Sequence, residues 1–186
     1  MKYLLVILSL LFTLRADENQ TAIRLQDYRS FIHDISSLPR EKQLQRVNAY
    51  FNLIVNDYDI NSWGAEDYWA TPKEFVARGS GDCEDFVIAK YFTLEELGVK
   101  PSDLMILIVK VNGSRDYHAV LGYRDDHNQT LVLDNISWKI LPIQQRSDLK
   151  ILCNINNTSP KKEKSPFIKY LLANFQNVLT KIKEGK

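Results

Sequence analysis

Cys83 is the residue of this sequence best suited to nucleophilic chemistry, and it lies in the run Gly81-Asp82-Cys83-Glu84-Asp85. Asp82 is a typical helix-capping residue and apolar residues recur at helical spacing beyond it, so Cys83 is predicted in the first turn of a helix. The unpaired N–H groups and the dipole of a helix N-terminus favour a thiolate, which is the nucleophilic form. A lone helical cysteine is more often a small buried hydrophobe, but the glycines at 79 and 81 favour a loop-to-helix junction with an exposed sulfur.

A cysteine nucleophile needs a base, and the sequence has three histidines, His33, His118 and His127. His33 falls in a predicted helix and His127 in a turn, whereas His118 falls in a predicted strand. If that strand pairs with the next one so that paired residue numbers sum to 252, His118 faces Asp134 and a three-residue loop joins the strands. The sequence therefore predicts a relay in which Cys83 attacks, His118 moves the proton and Asp134 orients the imidazole.

Three carboxylates, Asp82, Glu84 and Asp85, surround the cysteine. Acids in a first helical turn are ordinary capping and dipole partners. However, three negative charges beside a thiol also raise its pKa and oppose the thiolate. A bound hard cation would relieve that repulsion, and oxygen ligands without a second soft ligand favour Ca²⁺ over zinc. We therefore predict a calcium site formed by these three acids.

The elements that must position these side chains are predicted as helices, then strands, then one more helix. Thr71-Pro72-Lys73-Glu74 is a capping-box sequence that begins a short helix, and Gly98 is placed to end the helix that carries Cys83. This order indicates an α+β fold in which N-terminal helices and the Cys83 helix pack on an antiparallel sheet. The predicted helices are 21–35, 41–58, 72–78, 82–97 and one from 166, and the predicted strands are 104–111, 117–123, 130–134, 138–143 and 148–155, the last two at the sheet edges.

Four segments then carry a family resemblance: Trp69-Ala70-Thr71-Pro72-Lys73-Glu74, Gly81-Asp82-Cys83-Glu84-Asp85-Phe86, His118-Ala119-Val120-Leu121 and Leu133-Asp134-Asn135. In this order, within residues 57–154, they resemble the bacterial transglutaminase-like cysteine proteinases, and most of all those of the LapG type. The resemblance implies a papain-like or transglutaminase-like core with Cys83 as nucleophile, His118 as base and Asp134 as orienting acid. It also implies calcium dependence, with Asp82 and Glu84 as ligands and Asp85 as a weaker candidate.

The resemblance further implies a biological role. It implies a periplasmic endoprotease that cleaves a large surface adhesin near its N-terminus and so controls biofilm attachment. It also implies sequestration by an inner-membrane receptor that responds to cyclic di-GMP. The triad alone leaves two alternatives, which are acyl transfer by a transglutaminase or amidase of the same fold and a binding module without activity. Phe86 stands where the family is expected to have tyrosine, and the final helix has no role that the family assigns.

Composition excludes several other classes of protein. The 186 residues contain 24 Lys+Arg and 23 Asp+Glu, for a net charge of +1, so we expect no nucleic acid partner. The two cysteines exclude a disulfide framework and a Cys-only zinc site. Cys153 is predicted to be a buried strand thiol; the alternative is a disulfide with Cys83, which would inactivate the nucleophile in an oxidising compartment.

The N-terminal segment is predicted to lie outside the catalytic domain. Lys2 precedes an apolar run of about a dozen residues, which is typical of a signal peptide and short for a membrane span. We predict a signal peptide at 1–16 with cleavage after Ala16, and the alternative is an uncleaved anchor or a buried N-terminal helix. The protease domain is expected at 17–155, followed at 156–186 by a basic linker and an amphipathic helix that packs on the core or contacts a membrane.

Overall fold

The structure is a computed structural model that describes residues 2–185, with side chains from Asp17 onward. Over that range the chain forms six α-helices and seven strands, joined by turns and three short 3₁₀ segments. The helices are α1 (Lys2–Ile35), α2 (Arg40–Phe51), α3 (Asp59–Ser62), α4 (Pro72–Arg78), α5 (Cys83–Glu96) and α6 (Pro166–Lys183). The strands are β1 (Val55–Asn56), β2 (Ser80–Gly81), β3 (Leu104–Val111), β4 (Tyr117–Arg124), β5 (Thr130–Leu133), β6 (Leu141–Pro142) and β7 (Leu149–Asn154).

The N-terminal helix is longer than the sequence predicted. α1 is continuous from Lys2, whereas the apolar spacing predicted a helix only from residue 21. The predicted signal peptide, 1–16, lies outside the residues whose side chains are described, so that interpretation stays a prediction. Within the described part of the chain, none of the helices combines the length and the apolar character that crossing a bilayer requires.

A five-stranded antiparallel sheet in the order β6-β5-β4-β3-β7 forms one layer of the fold. The helix α5 packs on β3 and β4 and against α2 and α4. This arrangement confirms the predicted α+β class, with a Cys-bearing helix on an antiparallel sheet. The apolar stripe predicted for α5 underestimates its burial, because residues 85–91 are all buried between the neighbouring helices and the sheet.

Local sequence signals account for several helix ends. The Thr71 side chain accepts a hydrogen bond from the Glu74 N–H and the Glu74 carboxylate accepts from the Thr71 N–H, which completes the predicted capping box. Pro72 occupies the first turn of α4, where its missing N–H costs nothing. Gly98 follows α5 with a φ of 83°, the left-handed conformation expected after a helix C-terminus.

Two predicted elements were too long. The helix predicted at 41–58 ends at Phe51, since the chain turns at Asn52 and residues 55–56 then pair in parallel with residues 80–81. Apolar residues continue at helical spacing beyond Phe51, which led to the longer prediction. Val55 and Tyr58 are exposed, however, so these residues do not form a buried helical face. The edge strand predicted at 138–143 is reduced to the two residues of β6.

The hairpin register also differs from the prediction. Arg124 pairs with Thr130 and Leu121 with Leu133, so that paired residue numbers sum to 254 rather than 252. The loop has five residues instead of three, because the Asp125 side chain accepts hydrogen bonds from the N–H groups of residues 127 and 129 and Asn128 adopts a φ of 59°. His118 and Asp134 therefore lie diagonally across the hairpin rather than directly opposite. The shift of two preserves parity, so both still lie on one face.

The final helix packs on the core, which was one of its two predicted positions. Ser165 caps α6 and Pro166 occupies its first turn, as the sequence indicated. Leu171, Leu172, Phe175 and Val178 of α6 are buried in the main apolar cluster. At its C-terminal end the Lys181 ammonium donates to the Trp69 carbonyl at 2.8 Å and to Glu74 at 3.1 Å. Thus Lys181 joins α6 both to α4 and to the segment that precedes it.

Candidate active site

Cys83 is the first residue of α5 and lies against the sheet. Asp82 occupies the N-cap position with extended backbone, but its side chain makes no capping hydrogen bond, contrary to the expectation from sequence. The backbone N–H of Ala119, the residue after His118 in β4, donates to the Cys83 thiol. This contact brings the sulfur beside the strand that carries the predicted base.

The Cys83 thiol donates its proton to Glu84 Oε2, at an Sγ–O distance of 3.0 Å. Burial raises the pKa of this thiol well above its usual value, and the charges of Glu84 and Asp82 raise it further. The hydrogen bond from Ala119 acts in the opposite direction and is the smaller effect. In the absence of a compensating positive charge, the cysteine is therefore held as a thiol. Cys83 and Cys153 are both free, so the alternative disulfide does not form.

His118 and Asp134 form the hydrogen-bonded pair that the sequence predicted. His118 Nε2 lies 2.8 Å from Asp134 Oδ1, and both side chains are buried. The other carboxylate oxygen, Oδ2, accepts from Arg146 Nη2 at 2.9 Å, while Oδ1 also accepts from the Ile136 N–H at 3.0 Å. Burial raises the pKa of Asp134, but the hydrogen bond and charge of His118, with those from Ile136 and Arg146, outweigh it and lower the pKa to about 2.

Arg146 is a residue of this site that sequence reasoning did not assign. Its guanidinium joins Asp134 to Asp148 through Nη2–Oδ2 contacts of 2.9 and 2.8 Å, and its Nε donates to Asp148 Oδ1 at 2.9 Å. Arginine suits such a position because its planar donors hold two carboxylates in fixed directions. The Arg146-Ser147-Asp148 sequence lies within the region of resemblance, but nothing in its local pattern connects it to Asp134.

Asp59 is a further member of the acidic cluster around Cys83, and it was not identified from the sequence. Ligand atoms of Asp59, Asp82 and Asp85 all lie within 4.8 Å of one another, and so do those of Asp82, Cys83 and Glu84. Asp59 is only 3% exposed, and its Oδ1 has no hydrogen-bond partner, while Oδ2 accepts from the Tyr68 N–H at 2.5 Å. An ionised oxygen that is buried and unpartnered is costly unless a cation neutralises it.

Asp85 is the most firmly fixed member of the cluster. Its Oδ1 accepts from the Ala70 N–H at 2.7 Å and its Oδ2 accepts from Trp63 Nε1 at 3.2 Å. The backbone at Gly81 passes so close that a Cβ there would overlap Asp85 Oδ2. Glycine at this position therefore makes room for the carboxylate rather than supplying backbone flexibility.

The electrostatics of the cluster indicate a cation site. Burial is the largest cause in each case, and it raises the pKa of Asp59 to about 6 and the pKa values of Asp82, Glu84 and Asp85 above their usual ranges. Repulsion from Asp82 further raises the pKa of Asp59 and Asp85, and repulsion from Glu84 raises that of Asp82. Oxygen ligands of this number and charge suit Ca²⁺. The donor set therefore fits a calcium ion.

A cleft adjoins the His118 side chain. It has a volume of about 300 Å³, and His118 and Glu84 line it together with Tyr117. Phe167 and Tyr170 of α6 form another part of its lining. Tyr170 donates to Asp67 Oδ2 at 2.6 Å, and Asp67 also lines the cleft, so a polar contact holds α6 in the wall of the cleft.

The family described as bacterial transglutaminase-like cysteine proteinase (BTLCP) matches residues 27–159. No curated protein sequence matches the chain.

The structure of Legionella pneumophila LapG is similar to this one, with a TM-score of 0.73 and 30% sequence identity over 90% of this chain and 93% of that chain. The calcium-bound form of the same protein is 29% identical over 90% of this chain and 96% of that chain, again with a TM-score of 0.73. The EGTA-treated form is 34% identical over 74% of this chain and 76% of that chain, with a TM-score of 0.65. The chain belongs to the bacterial transglutaminase-like cysteine proteinase family, and it is a cysteine peptidase of the α+β fold that the resemblance implied.

Proposed function

We propose that this protein is a calcium-dependent cysteine endoprotease in which Cys83 is the nucleophile, His118 the base and Asp134 the orienting acid. The observation that carries the proposal is the 2.8 Å hydrogen bond between His118 and Asp134, on a strand whose next N–H contacts the Cys83 sulfur. The membership of the chain in a cysteine peptidase family supports the same assignment.

The arrangement supports hydrolysis through a thioester. His118 takes the Cys83 proton, the sulfur attacks the peptide carbonyl carbon, and the C–N bond breaks as the imidazolium returns the proton to the leaving amine. Water, deprotonated by the same imidazole, then hydrolyses the thioester and releases the thiol. Asp134 accepts from His118 Nε2, which leaves Nδ1 to exchange the proton, and Arg146 fixes the carboxylate from its other side.

We propose that Asp59, Asp82, Glu84 and Asp85 hold the calcium ion. The unpartnered Asp59 oxygen and the raised pKa values of all four acids support this assignment. LapG of Legionella pneumophila has been solved in calcium-bound and EGTA-treated forms, which supports calcium as the ion. A bound divalent cation supplies positive charge that offsets the acids around Cys83. Of the four residues, Asp82 and Glu84 flank the nucleophile in the sequence and share one group of close ligand atoms with it, whereas Asp59 and Asp85 share the second group with Asp82.

We further propose that the substrate is a large surface adhesin cleaved near its N-terminus in the periplasm, which would control biofilm attachment. An inner-membrane receptor responsive to cyclic di-GMP is the proposed regulatory partner. Both proposals rest on the resemblance to proteases of the LapG type, and export rests on the signal-peptide pattern at residues 1–16. The cleft beside His118 supports a peptide substrate, because it is open to solvent and about 300 Å³ in volume.

The proposal is tested by incubating the purified protein with the N-terminal region of an adhesin from the same organism, in calcium and in EGTA. N-terminal sequencing of the products identifies hydrolysis, whereas an adduct with an added amine would identify acyl transfer. We expect cleavage in calcium only, and none with Cys83→Ala or His118→Ala.

The matched controls are Cys153→Ala and His127→Ala, which remove the second thiol and an exposed turn histidine and should leave cleavage intact. Full cleavage by Cys83→Ala or His118→Ala would refute the assignment of the nucleophile or the base. Equal cleavage in EGTA and in calcium would refute the calcium requirement. A protein that binds the adhesin fragment without altering it would support the binding-module alternative.

A further inference from the structure

Lys90 is a buried cation that the proposed reaction does not use. It lies two turns along α5 from Cys83, and it is 0% exposed. Burial lowers its pKa to about 7, and attraction to the Asp134 carboxylate acts in the opposite direction. Burying a lysine ammonium costs free energy unless its N–H groups find hydrogen-bond acceptors, so its acceptors identify what it holds in place.

The Lys90 ammonium is held by two asparagine side chains, one from α2 and one from the residue that follows its last turn. Its Nζ donates to Asn48 Oδ1 at 2.8 Å and to Asn52 Oδ1 at 2.7 Å. A protonated lysine donates hydrogen bonds and accepts none, so both carboxamides must direct their oxygens towards the ammonium and their NH₂ groups away from it. Lys90 thus selects one of the two orientations that each asparagine side chain could adopt.

The NH₂ groups directed away from Lys90 reach the segment that begins with Asp134. Asn52 Nδ2 donates to the Asp134 carbonyl at 2.8 Å and to the Ser137 carbonyl at 3.3 Å. Asn48 Nδ2 donates to the same Ser137 carbonyl at 3.3 Å. Two successive hydrogen bonds therefore connect the Lys90 ammonium to the backbone of Asp134, the first donated by Lys90 and the second by Asn52.

Segment 134–138 has few apolar contacts that could fix it instead. Ile136 is 69% exposed and Trp138 is 60% exposed, so the two largest side chains of the segment face solvent. The Ile136 N–H donates to the Asp134 carboxylate, which ties the local backbone to the carboxylate. A change in the path of this segment would therefore move the group that His118 contacts.

We propose that Lys90 is a positioning residue: through Asn48 and Asn52 it holds segment 134–138 and thereby sets the direction of the Asp134 carboxylate towards His118. This inference rests on the proposed function in so far as Asp134 orients the base. It adds Lys90, Asn48 and Asn52 to the groups on which turnover depends, although none of them touches the reacting atoms.

The test compares Lys90→Met with Leu94→Ala, which removes buried volume one turn further along α5. The first readout is the deshielded Nε2–H proton resonance of His118 in the NMR spectrum, which reports its hydrogen bond to Asp134. The second is kcat and KM for the adhesin fragment in calcium, per folded molecule. For Lys90→Met we expect loss or displacement of the resonance and a fall in kcat of about tenfold or more, with KM within about twofold. Leu94→Ala should leave both unchanged.

A second variant, Asn52→Asp, keeps an acceptor and adds a charge for Lys90 but removes the NH₂ donor to the Asp134 carbonyl. We expect it to remain folded and to show the same loss of resonance and kcat. It therefore decides the question if Lys90→Met does not fold. An unchanged His118 resonance in either folded variant, or equal effects of Lys90→Met and Leu94→Ala, would overturn the inference. If the wild-type protein does not cleave the fragment, the proposed function fails, and the resonance alone still decides the role of Lys90.

Discussion

Replacing Asp59 by asparagine tests the acidic cluster most directly. The ionised Asp59 side chain should destabilise the metal-free protein and stabilise the calcium-loaded protein, so its replacement should have opposite effects on stability in the two states. The pKa of Asp59 rises from 3.8 to about 6, which makes the ionised side chain destabilising in the metal-free protein by about 3 kcal/mol. For an acid with a raised pKa, this penalty is fully present above about pH 6 and disappears as the pH falls below 3.8. Asparagine removes the charge and keeps an acceptor for the Tyr68 N–H.

In EGTA at pH 8 we therefore expect Asp59→Asn to be more stable than wild type by up to about 3 kcal/mol, a rise in Tm of roughly 6–12 °C. The difference should vanish near pH 4. Calcium should stabilise the wild type by about 2.7 kcal/mol when present at about 100 times its Kd, and should stabilise the variant much less, because one charged ligand is missing. Scanning calorimetry in EGTA and in calcium measures both effects.

The matched control is Glu66→Gln, which neutralises an exposed acid in the loop that follows α3 and should change neither value. If Asp59→Asn were less stable than wild type in EGTA at pH 8, the inferred repulsion would be wrong. If calcium stabilised both proteins equally, Asp59 would not belong to the site.

Two further substitutions test the supports of the site. Gly81→Ala would place a Cβ in overlap with Asp85 Oδ2, so we expect at least a tenfold loss of calcium affinity, measured by calorimetry. We also expect it to lower the stability in urea more than Gly98→Ala does. A Cβ at Gly98 would meet open space, so that control carries only the strain of a left-handed φ of 83°. Equal effects of the two glycine substitutions would contradict the close packing. Arg146→Met removes a partner of the buried Asp134 carboxylate, and we expect a loss of about 3–5 kcal/mol at neutral pH. Because the pKa of Asp134 is lowered to about 2, its ionised form adds stability above pH 4 that is lost as the pH falls towards 2. The free energy of unfolding in urea should therefore change less between pH 5 and 3 in the variant than in the wild type. An identical pH dependence would show that Arg146 does not contribute to this effect.

Sequence reasoning succeeded where the interactions were local. The capping box at 71–74 and the left-handed glycine at 98 depend on residues a few positions apart, and both are present. The alternation of β4 and β5 also placed His118 and Asp134 on one face. The exact register was wrong because it depends on a five-residue loop shaped by the Asp125 side chain, and loop length is not determined by strand periodicity.

The residues that were missed act through contacts distant in sequence. Asp59 reaches Asp82 only because the short parallel pairing of 55–56 with 80–81 brings the start of α3 close to the start of α5. Arg146 reaches Asp134 from a 3₁₀ turn beyond β6. Lys90 is a polar residue with no apolar spacing to mark it, and its burial depends on α2 and the sheet together. None of these contacts leaves a periodic signal.

The packing of α6 has a consequence for the kinetics of folding. Val178 of α6 is wholly enclosed by the main apolar cluster, and the Lys181 ammonium donates to the Trp69 carbonyl, which lies 112 positions earlier in the sequence. Contacts between residues so far apart form slowly, because the long intervening loop must lose chain entropy before the contact stabilises it. We therefore expect the docking of α6 to be a late step in the assembly of the core.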